Sequence, residues 1–414
     1  MRLIHFTLQD YLSTRPDILT NPHSAMAEMC LTYLSSPQVK VVWDSPFLDT
    51  QSTPFLEYCS VYWGVHAKRE LSGCGRSLAL KLLKGGCSPI LTKSLMRKAK
   101  GGYLLAGKTY SPFSGLHCAS FFGVVEVVAD LIQLECCDIN GGDLSGSTPL
   151  LWASCNGHEG VVKVLLRQEV LNPDNPDHFG RTPLSFAAED GNEEVVKILL
   201  GREGVNPDKT DSNGRTPLSY AAWKGNEGVV KMLLGREEVN PDKPDSNGRT
   251  PLLFAAADGN EGVVKILLAR EEVNPNKTGD FGHTPLLIAS WAGHEGVVRV
   301  LLRLEEVNPD EPDNEGRTPL LLAAASRNER VVKMLLGREE VNPDKPDNEG
   351  RTPLSVAAED GNEGVVKILL GREEVNPDKP DKYGQIPLYY AALGQHEKVE
   401  ALLQSRKEAI PSNI

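Results

Sequence analysis

The sequence predicts an all-α solenoid of about nine 34-residue helix-turn-helix units with long hairpin loops, preceded by a small helical segment. Three observations support this prediction. The tripeptide Thr-Pro-Leu recurs at a fixed interval, each interval contains two short helix patterns separated by a turn residue, and the charge balance changes near residue 110.

The fixed interval between the tripeptides is the strongest of the three observations. Seven copies of Thr-Pro-Leu are spaced 34 residues apart, Ile386-Pro387-Leu388 occupies the next position, and Ser114-Gly115-Leu116 occupies the preceding one. The units therefore begin at residues 114, 148, 182, 216, 250, 284, 318, 352 and 386. A two-helix unit of this size cannot bury both of its faces alone, so neighbouring units must stack. We assign residues 111–414 to this array and 1–110 to a separate domain.

The unit that begins at Thr182 shows why each half of a unit is helical. Thr182 is a good N-cap, and Pro183 fits the first helical position, where a missing N–H costs nothing. Gly191 can adopt the left-handed conformation that ends the first helix. Asn192 is expected to cap the second helix, whose residues 193–200 form an apolar face.

These units resemble the ankyrin repeat, with its TPLxxAAxxG first helix, its xxVVxxLL second helix and a loop before the next TPL. The resemblance implies a binding module without catalytic activity. Two departures stand out. The histidine that commonly follows TPL in the family survives only as His117, and Arg327 replaces the glycine between the helices of one unit, where we expect an altered turn.

Residues 1–110 lack the period and predict short helices at Thr7–Leu12, Ala25–Leu34, Phe55–Lys68, Ser77–Lys84 and Leu91–Lys100. The strings at 2–12 and 55–67 resemble the connector between the NACHT-type NTPase module and the ankyrin array of fungal NLR-like (STAND) proteins. By this resemblance the chain corresponds to the carboxy-terminal part of such a receptor. Its array would then be the sensor.

An alternative function rests on residues 102–109, which match the GxxxxGK[ST] pattern of a phosphate-binding loop. That loop needs a buried strand before it and a helix after it. Here a basic, helix-like stretch precedes the match, and Pro112 and Gly115 interrupt the residues that follow. We therefore favour a solvated linker, with a nucleotide-dependent STAND-type switch as the alternative.

Composition narrows the function classes further. The net charge is −12 and the pI is near 5.4, which argues against a nucleic-acid partner. No apolar run is long enough to span a membrane. All eight cysteines lie within the first 155 residues without CxxC spacing, which favours reduced thiols in the cytoplasm over a metal site. The sequence contains no catalytic constellation, and we predict neither an enzyme nor a cofactor.

Two slots vary among otherwise similar units, one after the Ala pair of the first helix and one before the loop glycine. In ankyrin repeats these slots face the concave groove or the loop tips. The candidate partner-binding residues are therefore Trp223, Lys224, Trp291, Phe179, Phe281, Tyr383, Glu189, Asp190, Asp258, Glu359 and Asp360. Drift at unconstrained surface positions is the alternative interpretation.

A third slot, directly after the leucine of TPL and its following residue, holds large apolar side chains. Its first members are Trp152, Phe186, Tyr220, Phe254 and Ile288, and we predict that they belong to the core. Residues 1–110 carry 13 basic and 7 acidic side chains, whereas the array carries 31 and 49. We expect a monomer that binds a protein partner, and the acidic array favours a basic one.

Overall fold

The computed structural model describes residues 21–36, 39, 54–84, 113–134 and 137–409. Within these ranges the chain forms helices, turns and loops, and no residue is in a β-strand. The chain divides into two compact units, Met1–Ser212 and Asn213–Ile414.

The first unit contains nine helices within the described ranges. They are α1 (Pro22–Leu34), α2 (Pro54–Arg69), α3 (Gly73–Leu83), α4 (Gly115–Phe122), α5 (Val125–Gln133), α6 (Pro149–Cys155), α7 (Glu159–Leu166), α8 (Pro183–Glu189) and α9 (Glu193–Leu200). The expected helices at Ala25–Leu34, Phe55–Lys68 and Ser77–Lys84 are confirmed as α1, α2 and α3. The expected helices at Thr7–Leu12 and Leu91–Lys100 lie outside the described residues.

Helices α1 to α3 pack together, and α2 and α3 also contact α4 of the first repeat. The fully buried indole of Trp63 meets the ring of Phe122 edge to face, with 5.1 Å between the ring centroids. This contact depends on Gly64, because a Cβ there would lie 2.1 Å from the Phe122 ring. The helical segment thereby covers the outer side of the first repeat.

The second unit contains twelve helices in its described part. They are α10 (Pro217–Lys224), α11 (Glu227–Leu234), α12 (Pro251–Ala257), α13 (Glu261–Leu268), α14 (Pro285–Ala292), α15 (Glu295–Leu301), α16 (Pro319–Ala325), α17 (Glu329–Leu335), α18 (Pro353–Glu359), α19 (Glu363–Leu370), α20 (Pro387–Leu393) and α21 (Glu397–Ala409). The first helices of successive repeats pack side by side, as do the second helices. The helix-turn-helix solenoid predicted from the period is therefore confirmed.

The predicted start of each first helix is also confirmed. The Thr182 hydroxyl accepts a hydrogen bond from the Ser185 N–H, with Pro183 at the first helical position. Ser185 replaces the family histidine, and its hydroxyl completes a capping box with Thr182. In the first repeat His117 makes the corresponding contacts and adds a hydrogen bond, Nε2 to the Ser147 carbonyl at 3.1 Å.

The expectation that Asn192 caps the second helix is wrong. Asn192 occupies the N-cap position, but its side chain makes no capping hydrogen bond. Its Nδ2 instead donates to the carbonyls of Ser154 and Cys155, at 2.9 and 3.0 Å, in the preceding repeat. Those carbonyls lie at the end of the preceding first helix, where a helix leaves acceptors unsatisfied.

The same slot ties other neighbouring repeats together. Asn260 donates to the Ala222 and Trp223 carbonyls at 2.9 and 2.8 Å, and His294 Nε2 lies 2.9 Å from the Ala257 carbonyl. Equivalent ties to the preceding repeat come from His158, Asn328, Asn362 and His396. We call this contact the inter-repeat tie.

The turn before each tie needs a left-handed backbone, which glycine supplies in most repeats. Arg327 adopts a φ of 62° in the glycine's place, which confirms the altered turn predicted there. Its Nη2 also donates to the Asp360 carbonyl at 2.7 Å. Gln395 has a φ of 58° in the same slot of the last repeat, a departure that the sequence analysis did not single out.

A second slot, in the loop after the second helix, holds a carboxylate that is only partly satisfied. Asp310 is 9% exposed, Lys345 Nζ lies 3.3 Å from its Oδ2, and its buried Oδ1 has no hydrogen-bond partner among the described residues. Burial raises the pKa of Asp310, and Lys345 offsets only part of this effect. Asn276 occupies this slot one repeat earlier and donates its Nδ2 to the Glu306 carbonyl at 2.7 Å.

The tie predicts the effect of changing Asn260. Asn260→Ala removes two hydrogen bonds and should lower the free energy of unfolding by about 1–2 kcal/mol. Asn260→His is the matched control, because histidine makes the tie in other repeats, and it should retain most of the stability. Urea unfolding followed by circular dichroism measures both variants. Equal losses in the two variants would contradict the role of the tie.

The partly satisfied carboxylate predicts a stabilising change. Asp310→Asn should raise the free energy of unfolding at pH 7.5 by about 1 kcal/mol, because the new amide can donate where Oδ1 has no partner. The pKa of Asp310 is raised in the folded chain, so acidification protonates the folded form first and stabilises the wild type. The advantage of the variant should therefore shrink as the pH falls through that pKa.

The reciprocal variant tests the same slot. Asn276→Asp should lose stability at pH 7.5 and recover part of it on acidification. Urea unfolding at a series of pH values measures both variants, and an advantage of Asp310→Asn that grows at low pH would contradict the interpretation.

Candidate functional site

The loop tips that precede the first helices share one hydrogen-bonded turn. The Asp245 carboxylate accepts from the backbone N–H groups of Asn247 and Arg249, both at 2.9 Å, and Arg249 Nη2 pairs with Asp245 Oδ2 at 2.9 Å. Equivalent aspartates that hold their tips in this way are Asp177, Asp313, Asp347 and Asp381. The aspartates are buried, so each tip presents its arginine rather than its carboxylate.

One tip departs from this pattern. Gly279 stands where the other tips have the aspartate, and Asp280–Gly282 forms a short 3-10 turn. Phe281 adopts a φ of 58° and is 67% exposed. A bulky residue in this conformation is strained, and the exposed ring gains little from packing that would offset the strain. The tip also carries His283 in the position of the arginine.

The arginines of the regular tips cover aromatic rings of the slot that was predicted to be core. Arg181 Cζ lies 4.1 Å from the centroid of the Phe186 ring. Phe254 receives two guanidinium groups, Arg249 of its own repeat at 4.9 Å and Arg215 of the preceding repeat at 5.6 Å. The core prediction is confirmed for Tyr220 and Phe254, which are buried, whereas the other three members named above are half-buried.

The second unit contains a cavity of about 320 Å³ among the repeats that begin at 284, 318 and 352. Its floor is apolar, and its rim is formed by two arginines, a histidine and a tryptophan. The lining residues are His283, Leu287, Ile288, Trp291, Arg317, Leu321, Leu322, Ala325, Arg351 and Val356. This volume lies within the range of pockets that bind small molecules or single side chains.

Carboxylates hold the two rim arginines in place. Arg317 Nε donates to the buried Asp313 Oδ2 at 2.7 Å, and its Nη1 lies 2.9 Å from the exposed Glu315. Arg351 pairs with the buried Asp347 at 3.0 Å, and its Nη1 lies 3.8 Å from Glu359. Burial alone would lower the pKa of Arg351, but Asp347 and Glu359 raise it above its usual value.

His283 completes this side of the rim. Its Nε2 lies 3.5 Å from both Asp313 Oδ2 and Arg317 Nη2. Its ring centroid is 6.0 Å from that of Phe281. The departing tip and the cavity are therefore adjacent parts of one surface in the second unit.

The predicted aromatic candidates differ in exposure. Trp291 lines the cavity and is 58% exposed, and Tyr383 is 73% exposed and donates its hydroxyl to Glu349 at 3.0 Å. Phe179 is 44% exposed, 5.6 Å from Arg181 Cζ. Trp223 is half-buried, and the Lys224 ammonium lies 3.9 Å above its ring.

The predicted charged candidates lie on the surface of their own units. Asp190, Asp258 and Glu359 are exposed, and Glu189 and Asp360 are half-buried. Of all the predicted residues, only Trp291 lines the cavity, with Glu359 beside its rim at Arg351. A partner-binding role for these residues stays a prediction.

The sequence analysis did not identify the rim and floor residues as a site. Its overlooked signal was the slot after TPL and the following residue, which changes from aromatic to aliphatic at Ile288, Leu322 and Val356. All three of these residues line the cavity.

The family model for ankyrin repeats matches residues 91–175, 116–211, 169–245, 197–278, 252–347 and 320–412, more than half of the chain. The chain belongs to the ankyrin-repeat family. The crystal structure of the human ASB11 ankyrin repeat domain is 27% identical over 55% of this chain and 98% of that one, with a TM-score of 0.48. A search of curated proteins finds no match.

Other kinds of site were sought in the part of this ankyrin-repeat chain that the structure describes. There, no three or more His, Cys, Asp or Glu side chains are grouped so that they could hold a metal ion. No described helix is both long and apolar enough to cross a membrane. The GxxxxGKT match at 102–109 lies outside the described residues. The cavity and its rim are therefore the candidate site that the geometry supports.

Proposed function

We propose that the chain binds a protein partner through the surface of its second unit that surrounds the cavity. The observation that carries this proposal is Trp291, an exposed indole at the edge of an apolar cavity. Exposed aromatic side chains next to a pocket, surrounded by charged residues, are typical hot spots of protein interfaces. Ankyrin repeats are protein-interaction modules, which supports the same class of function.

The charges around the cavity favour a partner with basic residues. Arg317 and Arg351 are each neutralised by a buried aspartate. Glu315 and Glu359 add exposed negative charge beside them. The rim is therefore acidic on balance, and a basic partner would be attracted to it.

The wider context is also a proposal. The strings in 1–110 support a role for the array as the sensor part of an NLR-like receptor. Cys30, Cys59 and Cys118 are buried free thiols, which supports a reducing compartment such as the cytoplasm. We propose that the chain acts there as a monomer without enzymatic activity.

The proposed function predicts the effect of removing the exposed rings. A partner captured by cross-linking to the full chain is purified, and its affinity is measured calorimetrically. Trp291→Ala and Phe281→Ala should each weaken binding at least about fivefold, because each removes an anchor. Tyr389→Ala removes an exposed ring in the last repeat and is the control. Unchanged affinity in both anchor variants would favour drift at these positions.

The nucleotide-switch alternative has its own test, because the match at 102–109 includes a lysine in the position that contacts phosphates. We expect no saturable ATP binding by the full chain in calorimetry. Micromolar affinity that Lys108→Ala abolishes would instead support the switch.

A further inference from the structure

We infer that the cavity of the second unit is a receptor for one aromatic side chain of the protein partner. This inference rests on the proposed function and adds the chemistry of the anchor that the partner must supply. It is drawn from a comparison of the repeats with one another.

The comparison concerns the slot after TPL and its following residue. In four repeats this slot holds an aromatic side chain, namely Trp152, Phe186, Tyr220 and Phe254. In the next three it holds Ile288, Leu322 and Val356, and Tyr390 follows in the last repeat. The cavity is lined by all three aliphatic members. It therefore lies where consecutive repeats lack the ring that their neighbours carry.

The second step concerns the arginines that cover the rings. Phe254 lies beneath Arg249 of its own repeat and Arg215 of the preceding one, at 4.9 and 5.6 Å from their Cζ atoms. The same two positions relative to Val356 are Arg351 and Arg317, and both line the cavity. The pair of guanidinium groups is thus retained at Val356, although the side chain beneath it is aliphatic.

The third step concerns how these guanidinium groups are held. Asp313 and Asp347 are buried and bind the Nε atoms of Arg317 and Arg351 at 2.7 and 3.0 Å. Glu315 and Glu359 engage further nitrogens of the same groups. Because the edges are occupied, the planar faces are what each arginine offers to a ligand. A guanidinium face attracts the π-face of an aromatic ring.

The remaining walls also suit a ring. The floor of Leu321, Leu322 and Ala325 is apolar, and the Trp291 indole stands at the edge. An aromatic side chain would gain stacking on the guanidinium groups and contact with the indole in addition to apolar burial. An aliphatic side chain would gain burial alone. The cavity should therefore prefer Phe, Tyr or Trp to Leu.

The test uses a defined probe. The peptide acetyl-Gly-Ser-(4-fluorophenylalanine)-Ser-Gly-amide is titrated with the full chain and followed by fluorine NMR. We expect its line to broaden on binding. The unlabelled phenylalanine peptide should displace the probe, and the leucine peptide should do so at least about fivefold less well.

Two variants locate the binding. Val356→Phe restores the ring that Phe254 provides in its own repeat, so the fold should accept it while the cavity is filled. It should weaken probe binding at least about fivefold, whereas the aliphatic control Val356→Ile should retain it. Circular dichroism and urea unfolding verify that both variants are folded.

Other outcomes would overturn the inference. They are equal displacement by the leucine peptide, undiminished probe binding by Val356→Phe, or no binding of the probe to the wild type. Concentration-dependent self-association that Val356→Phe abolishes would make a second copy of this chain the occupant instead. If the probe does not bind but Trp291→Ala still weakens a captured partner, the aromatic receptor is wrong and the proposed interaction function stands.

Discussion

The inter-repeat tie is the contact on which the rest of each unit depends. A first helix of two turns ends with carbonyls that its own repeat leaves without donors. Asn192 in the first unit and Asn260 in the second supply those donors from the following repeat. The tie fixes how neighbouring first helices sit within a unit by polar contacts. Apolar slots on those helices can then change without altering the stacking.

This division explains which features the sequence could predict. The period, the Thr182 cap and the left-handed turn at Gly191 follow from local rules that involve residues within one helix or turn. The role of Asn192 was predicted wrongly because capping is also a local rule, whereas the tie joins residues nearly forty positions apart. The three helices of 21–84 were predicted because their apolar patterns are local as well.

The candidate site was predictable only in part, for the same reason. Sequence alone gives Trp223 and Trp291 the same standing, since they occupy the same slot of two repeats. The structure separates them, because Lys224 covers one ring and the other borders the cavity. The cavity itself depends on three slots in consecutive repeats and on two arginines, a combination that no single repeat displays.

The buried aspartates of the tips show that the aromatic slot and the arginine act together. In the first tip Ser147 replaces the arginine, and Trp152 Nε1 donates to Asp143 Oδ2 at 3.0 Å. In the last tip Gln385 replaces it, and the Tyr390 hydroxyl donates to Asp381. Where the arginine is missing at either end, the ring of the slot therefore takes over its hydrogen bond to the aspartate.

The repeats around the cavity show the opposite combination, in which the arginine is kept and the ring is lost. Arg317 and Arg351 remain fully paired, so no polar group forces a ring into these slots. An unfilled volume of this kind costs packing energy in any core. A stacked array tolerates this cost because its stability is a sum of repeat and neighbour terms, and the flanking repeats and their ties remain intact.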